Sequence, residues 1–204
     1  MLYKRFEVEK KTVGIWKISE SIEELLGLVN PDAALLAEIQ NLHSEKRKVE
    51  KLVTCCLMRE FGLDYSQLMY LPSGKPKLIG NKFHVSISHT AGFVSIALSE
   101  SGVGIDIQSI DARVVNLKSR FVADDELIDP NLEITHLMLH WSAKEAMFKW
   151  IDREAVIFTK HLHVQPFSPV GKGCFQVYET KTKWKMSATA YYEVEDHFVL
   201  VLVG

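Results

Sequence analysis

Apolar and polar positions between residues 134 and 151 repeat at helical spacing, but on more than one side. At about 100° per residue, Leu137, Trp141, Phe148 and Ile151 form one apolar stripe. Leu139, Ala143, Met147 and Trp150 form a second on the far side, and a narrow polar sector between them holds Ser142, Glu145, Lys149 and Asp152. A surface helix ordinarily has one apolar face and one broad wet face. The pattern here predicts a helix packed on two sides, with an acid and a base in the strip between. Lys144 falls beside the first stripe, so its stem is expected on the core with the amine snorkelling outward.

The same reading predicts helices over 21–30, over 32–62 (opening at Pro31-Asp32 and ending at Gly62) and over 113–128. Runs rich in β-branched and aromatic residues predict strands at 12–18, 82–88, 92–99, 103–110, 155–164, 173–180, 183–192 and 197–203. Each half of the chain thus combines helices with antiparallel-looking strands, an α+β pattern. Glu100-Ser101-Gly102 marks a boundary, giving an N-terminal unit of 1–101 and a C-terminal unit of 102–204.

Composition narrows the function classes. The 204 residues suffice for one large domain or two small ones. A net charge of −2 supplies no global field for nucleic acid. Cys55, Cys56 and Cys174 form neither a metal-ligand spacing nor a disulfide framework, which suits a reducing compartment. The N-terminal stretch lacks the apolar run of a signal peptide, and the longest apolar runs are too short to cross a bilayer. A cytoplasmic protein without nucleic-acid or membrane partners is expected.

Several short motifs carry candidate chemistry. In "VGIDIQ", alternation sends Val103, Ile105 and Ile107 to the core and Gly104, Asp106 and Gln108 the other way. An acid inside an apolar strand, beside a glycine that permits close approach, suits a cation; a turn cap or solvent-facing acid is the plainer alternative. Glu145 and Lys149 stand at i and i+4, where an ordinary helical ion pair contributes about 0.2–0.5 kcal/mol. "SGKP" predicts a turn presenting Lys75, "VSISHT" places Ser88 and His89 at a strand end, and "HSEKRKVEK" concentrates Lys46, Arg47, Lys48 and Lys51 on a helix.

Taken in chain order, SGKP, SISHT, VGIDI, RFVADDE and WSAKEAMFK resemble the blocks of the 4′-phosphopantetheinyl transferase superfamily, in its longer two-subdomain branch. The resemblance covers roughly residues 40 to 155. It implies two similar α/β subdomains with antiparallel sheets, related by pseudo-twofold symmetry, with the active site between them. It further implies Mg²⁺ held by Asp106 and Glu145, with Lys149 on the phosphates, and coenzyme A contacted by Lys75, Ser88 and His89 and by Lys46 and Arg47. Glu126 corresponds to an acid near the metal and the incoming serine. Members of this branch often carry a second acid where Gln108 stands; an amide oxygen still ligates but brings no charge. The implied reaction moves phosphopantetheine from coenzyme A to a serine of an apo acyl or peptidyl carrier protein, by a monomeric enzyme, with Glu145 or Glu126 removing the serine proton. Met138, Phe121 and residues 113–120 are candidates for docking the carrier. The alternatives are a non-catalytic coenzyme A or carrier-binding module and a metal-dependent nucleotide phosphodiesterase.

Overall fold

Side chains along residues 93–99 sort by parity: Val94, Ile96 and Leu98 belong to one buried cluster, while Phe93 and Ala97 belong to another. A strand whose two faces are both buried needs a layer on each side. The computed structural model, which describes residues 1–80 and 82–204, supplies both.

The N-terminal half contains β1 (Leu2–Val8), β2 (Lys11–Lys17), α1 (Ile22–Val29), α2 (Ala33–Gln40), α3 (Glu45–Glu60), β3 (Leu68–Tyr70), β4 (Pro76–Leu78), β5 (His84–Thr90) and β6 (Phe93–Ser99). The C-terminal half contains β7 (Gly104–Ser109), α4 (Glu133–Ile151), α5 (Phe158–His161), β8 (Leu162–Val164), β9 (Lys172–Glu179), β10 (Ser187–Val194) and β11 (Phe198–Val203). One sheet runs β1-β2-β6-β5, a second runs β7-β11-β10-β9-β8, and β3 pairs with β4. All described strand pairs are antiparallel, so the molecule is a mixed α/β protein with antiparallel sheets. No described helix is long and apolar enough to cross a membrane.

Three clusters stack the layers. Leu25, Leu52, Val53 and Leu57 of α1 and α3 pack on Trp16, Val94 and Ile96 of the first sheet. Val13, Ile15, Phe93 and Ala97 on its other face meet Ile105, Ile107, Phe198 and Leu200 of the second sheet. Val199, Val201 and Val203 on the far face of β11 pack with Leu139, Ala143 and Met147 of α4. The order is helix, sheet, sheet, helix.

The sheets are also joined edge to edge, by side chains. β5 and β7 each end a sheet, so one row of β7 amides lacks a neighbouring strand. Ile105 N–H donates to Ser86 Oγ at 3.0 Å, Ile107 N–H to Ser88 Oγ at 3.3 Å, and Ser109 N–H to Thr90 Oγ1 at 2.9 Å. Three hydroxyls at period two on β5 thus take the place of a strand's carbonyls.

Several elements differ from the pattern-based expectation. The helix expected over 32–62 is two: α2 stops at Asn41, and Ser44 Oγ accepts Arg47 N–H to start α3 afresh. Residues 113–128 are not an α-helix. Ala112–Arg120 winds as a 3-10 helix capped by Asp111, and the fully buried Phe121 leaves helical geometry. The strand expected at 155–164 begins only at Leu162: Ala155 has φ +53°, and His161 Nδ1 accepts Ile157 N–H across the short α5. That expected from 183 starts at Ser187, because the Glu179 carboxylate gathers the Thr182 and Met186 amides into a turn. β1, with charged residues at three of its seven positions, reads poorly as a strand, yet pairs along β2.

Removing one hydroxyl of the β5–β7 seam leaves a buried amide unpaired, at about 1–3 kcal/mol. Ser86→Ala is therefore expected to lower the urea unfolding free energy by that amount, against less than about 0.5 kcal/mol for the exposed Ser187→Ala. Equal effects for the two would remove the seam's significance.

Candidate active site

The α4 pattern packs on two sides, as its stripes require: Leu137, Leu139, Ala143 and Met147 are all fully buried. Two positions depart from the expected sectors. Phe148 is 39% exposed, and Ser142 is fully buried with no hydrogen-bond partner. Strand β7 lies against α4 at very short range. A Cβ on Gly104 would sit 1.9 Å from the Ala146 carbonyl oxygen, so only glycine permits this approach.

That contact sets Asp106, two residues along the same face of β7, against α4. Asp106 is 2% exposed. Its Oδ1 accepts from Ser88 Oγ at 2.9 Å and Lys149 Nζ at 2.8 Å, while Lys149 also donates to the Ile105 carbonyl at 2.9 Å. Lys149 therefore pairs with Asp106 across the β7–α4 boundary rather than with Glu145 along its own helix. Asp106 Oδ2 is buried without a partner. Glu145 is half-buried nearby. Burial, and then the Asp106 charge, push its carboxyl up to about 7, with Lys149 opposing.

Lys75 reaches the same region from the SGKP turn. Its Nζ donates to the Trp150 carbonyl at 3.2 Å, one of the carbonyls left free at the end of α4. Burial draws its ammonium below the ordinary lysine range, against the pull of Asp152. A cleft of about 610 Å³ opens beside Lys149, bounded by Ser73–Pro76, Val85–Ile87 and Phe148, with Arg153 and Glu154 at its mouth. A second hollow of about 390 Å³ shares Gly74, Pro76 and Ile87 with it, and is lined by Arg47, Glu50, Tyr70 and His89. Ser88 and His89 face opposite sides of β5: Ser88 turns to Asp106, and His89 Nδ1 lies 3.1 Å from Glu50 Oε1 on α3. Lys46 and Arg47 flank the same Glu50, at 3.7 and 4.0 Å.

Four residues stand elsewhere than expected. Lys144 does not snorkel. It is fully buried, and its Nζ donates to Glu126 Oε2 and the Phe121 carbonyl, each at 2.6 Å. Glu126 is occupied by that bond and by the amides of Ala123 and Val164. Lys144 is about 140° around α4 from Lys149, so Glu126 braces the helix from another side and does not join the Asp106 group. Gln108 ends the β7 face, half-buried, and lines a separate groove of about 590 Å³ with Thr90, Asp111, Arg113, Met138 and Trp141. Phe121 is buried edge-on to Trp141 and offers no docking surface. Glu50, Ser86 and Thr90 escape a sequence reading: a glutamate among lysines reads as a wet face, and strand hydroxyls read as neutral.

Among the described residues, no three His, Cys, Asp or Glu side chains cluster to hold a metal. A magnesium ion bound through one or two carboxylates plus substrate phosphates does not need three. The unpartnered Asp106 Oδ2 and the Glu145 carboxyl, strained by a like charge, are a donor pair that fits such an ion.

No protein-family model matches the chain. Among curated proteins it is similar to the 4′-phosphopantetheinyl transferase psf-1 of Bacillus pumilus, with 26% identity over 157 residues. The match covers 72% of this chain and 67% of the relative. This likeness supports the superfamily that the motif order suggests.

Two outcomes test the site's construction. Gly104→Ala is expected to lower stability by about 1–3 kcal/mol or more by wedging β7 from α4, measured by urea unfolding. A neutral result would mean the approach is not tight. For Glu145, the folded value near 7 lies above the ordinary 4.5, so its contribution to stability is greatest below pH 4.5 and is lost as pH rises to about 7. Glu145→Gln removes this dependence. The melting-temperature difference, variant minus unmodified chain, should widen between pH 4.5 and 7 and then level; parallel curves would contradict the burial.

Proposed function

We propose that the protein is a Mg²⁺-dependent 4′-phosphopantetheinyl transferase that modifies a serine of an apo acyl or peptidyl carrier protein. The single observation that carries this reading is the meeting of Asp106, Glu145 and Lys149 beside an open cleft, at the two motif blocks that define the resemblance. The likeness to psf-1 agrees with it. In this reading residues 1–101 and 102–204 are two subdomains related by pseudo-twofold symmetry, and the site lies at their junction.

Coenzyme A lies across the cleft with its pyrophosphate near Asp106 and its adenosine end toward Lys75, His89, Lys46 and Arg47. Asp106 and Glu145 would hold Mg²⁺, which when bound supplies positive charge against the pyrophosphate. The carrier's serine oxygen attacks the β-phosphate, and its bond to the departing 3′,5′-ADP breaks. Lys149, already fixed by Asp106 and the Ile105 carbonyl, meets the charge that develops on the phosphates without reorganising. In this reading Glu145 takes the serine proton. Glu126, spent on Lys144, takes no part beyond supporting α4. The carrier approaches over the groove that contains Met138, Trp141 and Arg113.

Incubation with Mg²⁺, coenzyme A and a panel of apo carrier proteins should raise a carrier's mass by one phosphopantetheine. No mass change across the panel overturns the reading. Lys149→Met keeps the apolar stem and removes the charge, so kcat should fall roughly 10²–10³-fold, and the melting temperature should fall as well because the buried Asp106 loses its cationic partner. A full-rate variant would make Lys149 a structural partner of Asp106 only.

A further inference from the structure

Glu50 is the least explained charge in the molecule. It sits on α3, 6% exposed, and its Oε1 is buried with no hydrogen bond of good geometry. A carboxylate taken out of water without partners is costly. The nearest group to that oxygen is His89 Nδ1 at 3.1 Å, with the Lys46 amine at 3.7 Å. The neighbouring Leu52 and Val53 carry the packing of α3, and the Thr54 Oγ1 bond at this position goes to the Glu50 backbone carbonyl rather than its side chain.

We propose that Glu50 is a positioning residue that holds His89, through its Nδ1, so that His89 Nε2 presents a proton to the 3′-phosphate of coenzyme A. This rests on the placement of coenzyme A given above. An imidazole has two ring nitrogens, and in its neutral form only one carries a proton. If Nδ1–H points to Glu50, a neutral ring offers the phosphate a lone pair, which repels it. Donation to both sides requires the imidazolium. Burial draws His89 toward its neutral form and Glu50 opposes this; the charges of Lys46 and Arg47 on α3 and of Lys149 on α4 also disfavour its charge. Glu50 is the one anion among these groups. With a phosphate on the other side, the cation lies between two anions and the Glu50–His89 bond completes. The same carboxylate keeps Lys46 and Arg47 at the rim of the hollow, where both remain largely exposed. Fixing a ring through its second nitrogen is the arrangement that orients histidine ligands elsewhere.

The test is the dissociation constant of the full chain, with Mg²⁺, for coenzyme A and for 3′-dephospho-coenzyme A. Glu50→Gln preserves shape and removes charge. It should weaken coenzyme A binding roughly ten- to a hundredfold, as for loss of one charge-assisted contact, and leave the dephospho compound unaffected. In a His89→Ala background the same substitution should have no further effect. Equal weakening of both ligands, or an undiminished effect without His89, overturns the proposal while leaving the transferase reading intact. If the unmodified chain binds the two ligands equally, the 3′-phosphate is not at His89 and the proposal falls. Absence of any coenzyme A binding removes the underlying reading as well.

Discussion

The site depends on a seam of hydroxyl groups. Ser86, Ser88 and Thr90 on β5 satisfy the outward amides of β7, so two sheets that share no ladder are held at fixed distance and register. The middle hydroxyl does two things: Ser88 Oγ accepts the Ile107 amide and donates to Asp106. The acid's position is thus set by the same contact that joins the halves. A backbone ladder would have fixed the strands equally well, but its carbonyls carry no proton for a carboxylate.

On the other side of β7, α4 completes the enclosure. Gly104 lets the helix come close enough for Lys149 to reach both a β7 carbonyl and Asp106. The far flank of the helix is anchored by the buried Lys144–Glu126 pair, and its C-terminal end by Lys75. A charge inside the fold and one at the cleft thus serve different ends from positions five residues apart. Desolvation is tolerated at Lys144 because a carboxylate and a carbonyl meet it. At Glu145 the Lys149 charge offsets it only in part, and the carboxyl keeps its affinity for protons near neutral pH.

Local periodicity made part of this legible. The parity of 103–108 correctly separates Ile105 and Ile107 from Gly104 and Asp106, because β7 really is buried on both faces. The stripes of 134–151 announce a helix with two packed sides for the same reason. What was not legible depends on distant partners. Lys144 looks like a snorkelling residue until Glu126 arrives from a loop eighteen residues earlier. Glu50 lies in a run of surface charges, and its nearest partner, His89 on β5, is distant in sequence. The division of 32–62 turns on one serine hydroxyl, a capping choice that helical periodicity does not register.

The seam also bears on how the protein avoids self-association. An edge strand with free amides is a template for any extended chain. Here the β7 edge is covered by β5, through side chains rather than a ladder. If the sheets part, β7 offers the unpaired amides of Ile105, Ile107 and Ser109 on an edge with apolar side chains. Separation of the two sheets therefore exposes an adhesive edge as well as a dismantled site, together with the apolar faces that the sheets bury against each other.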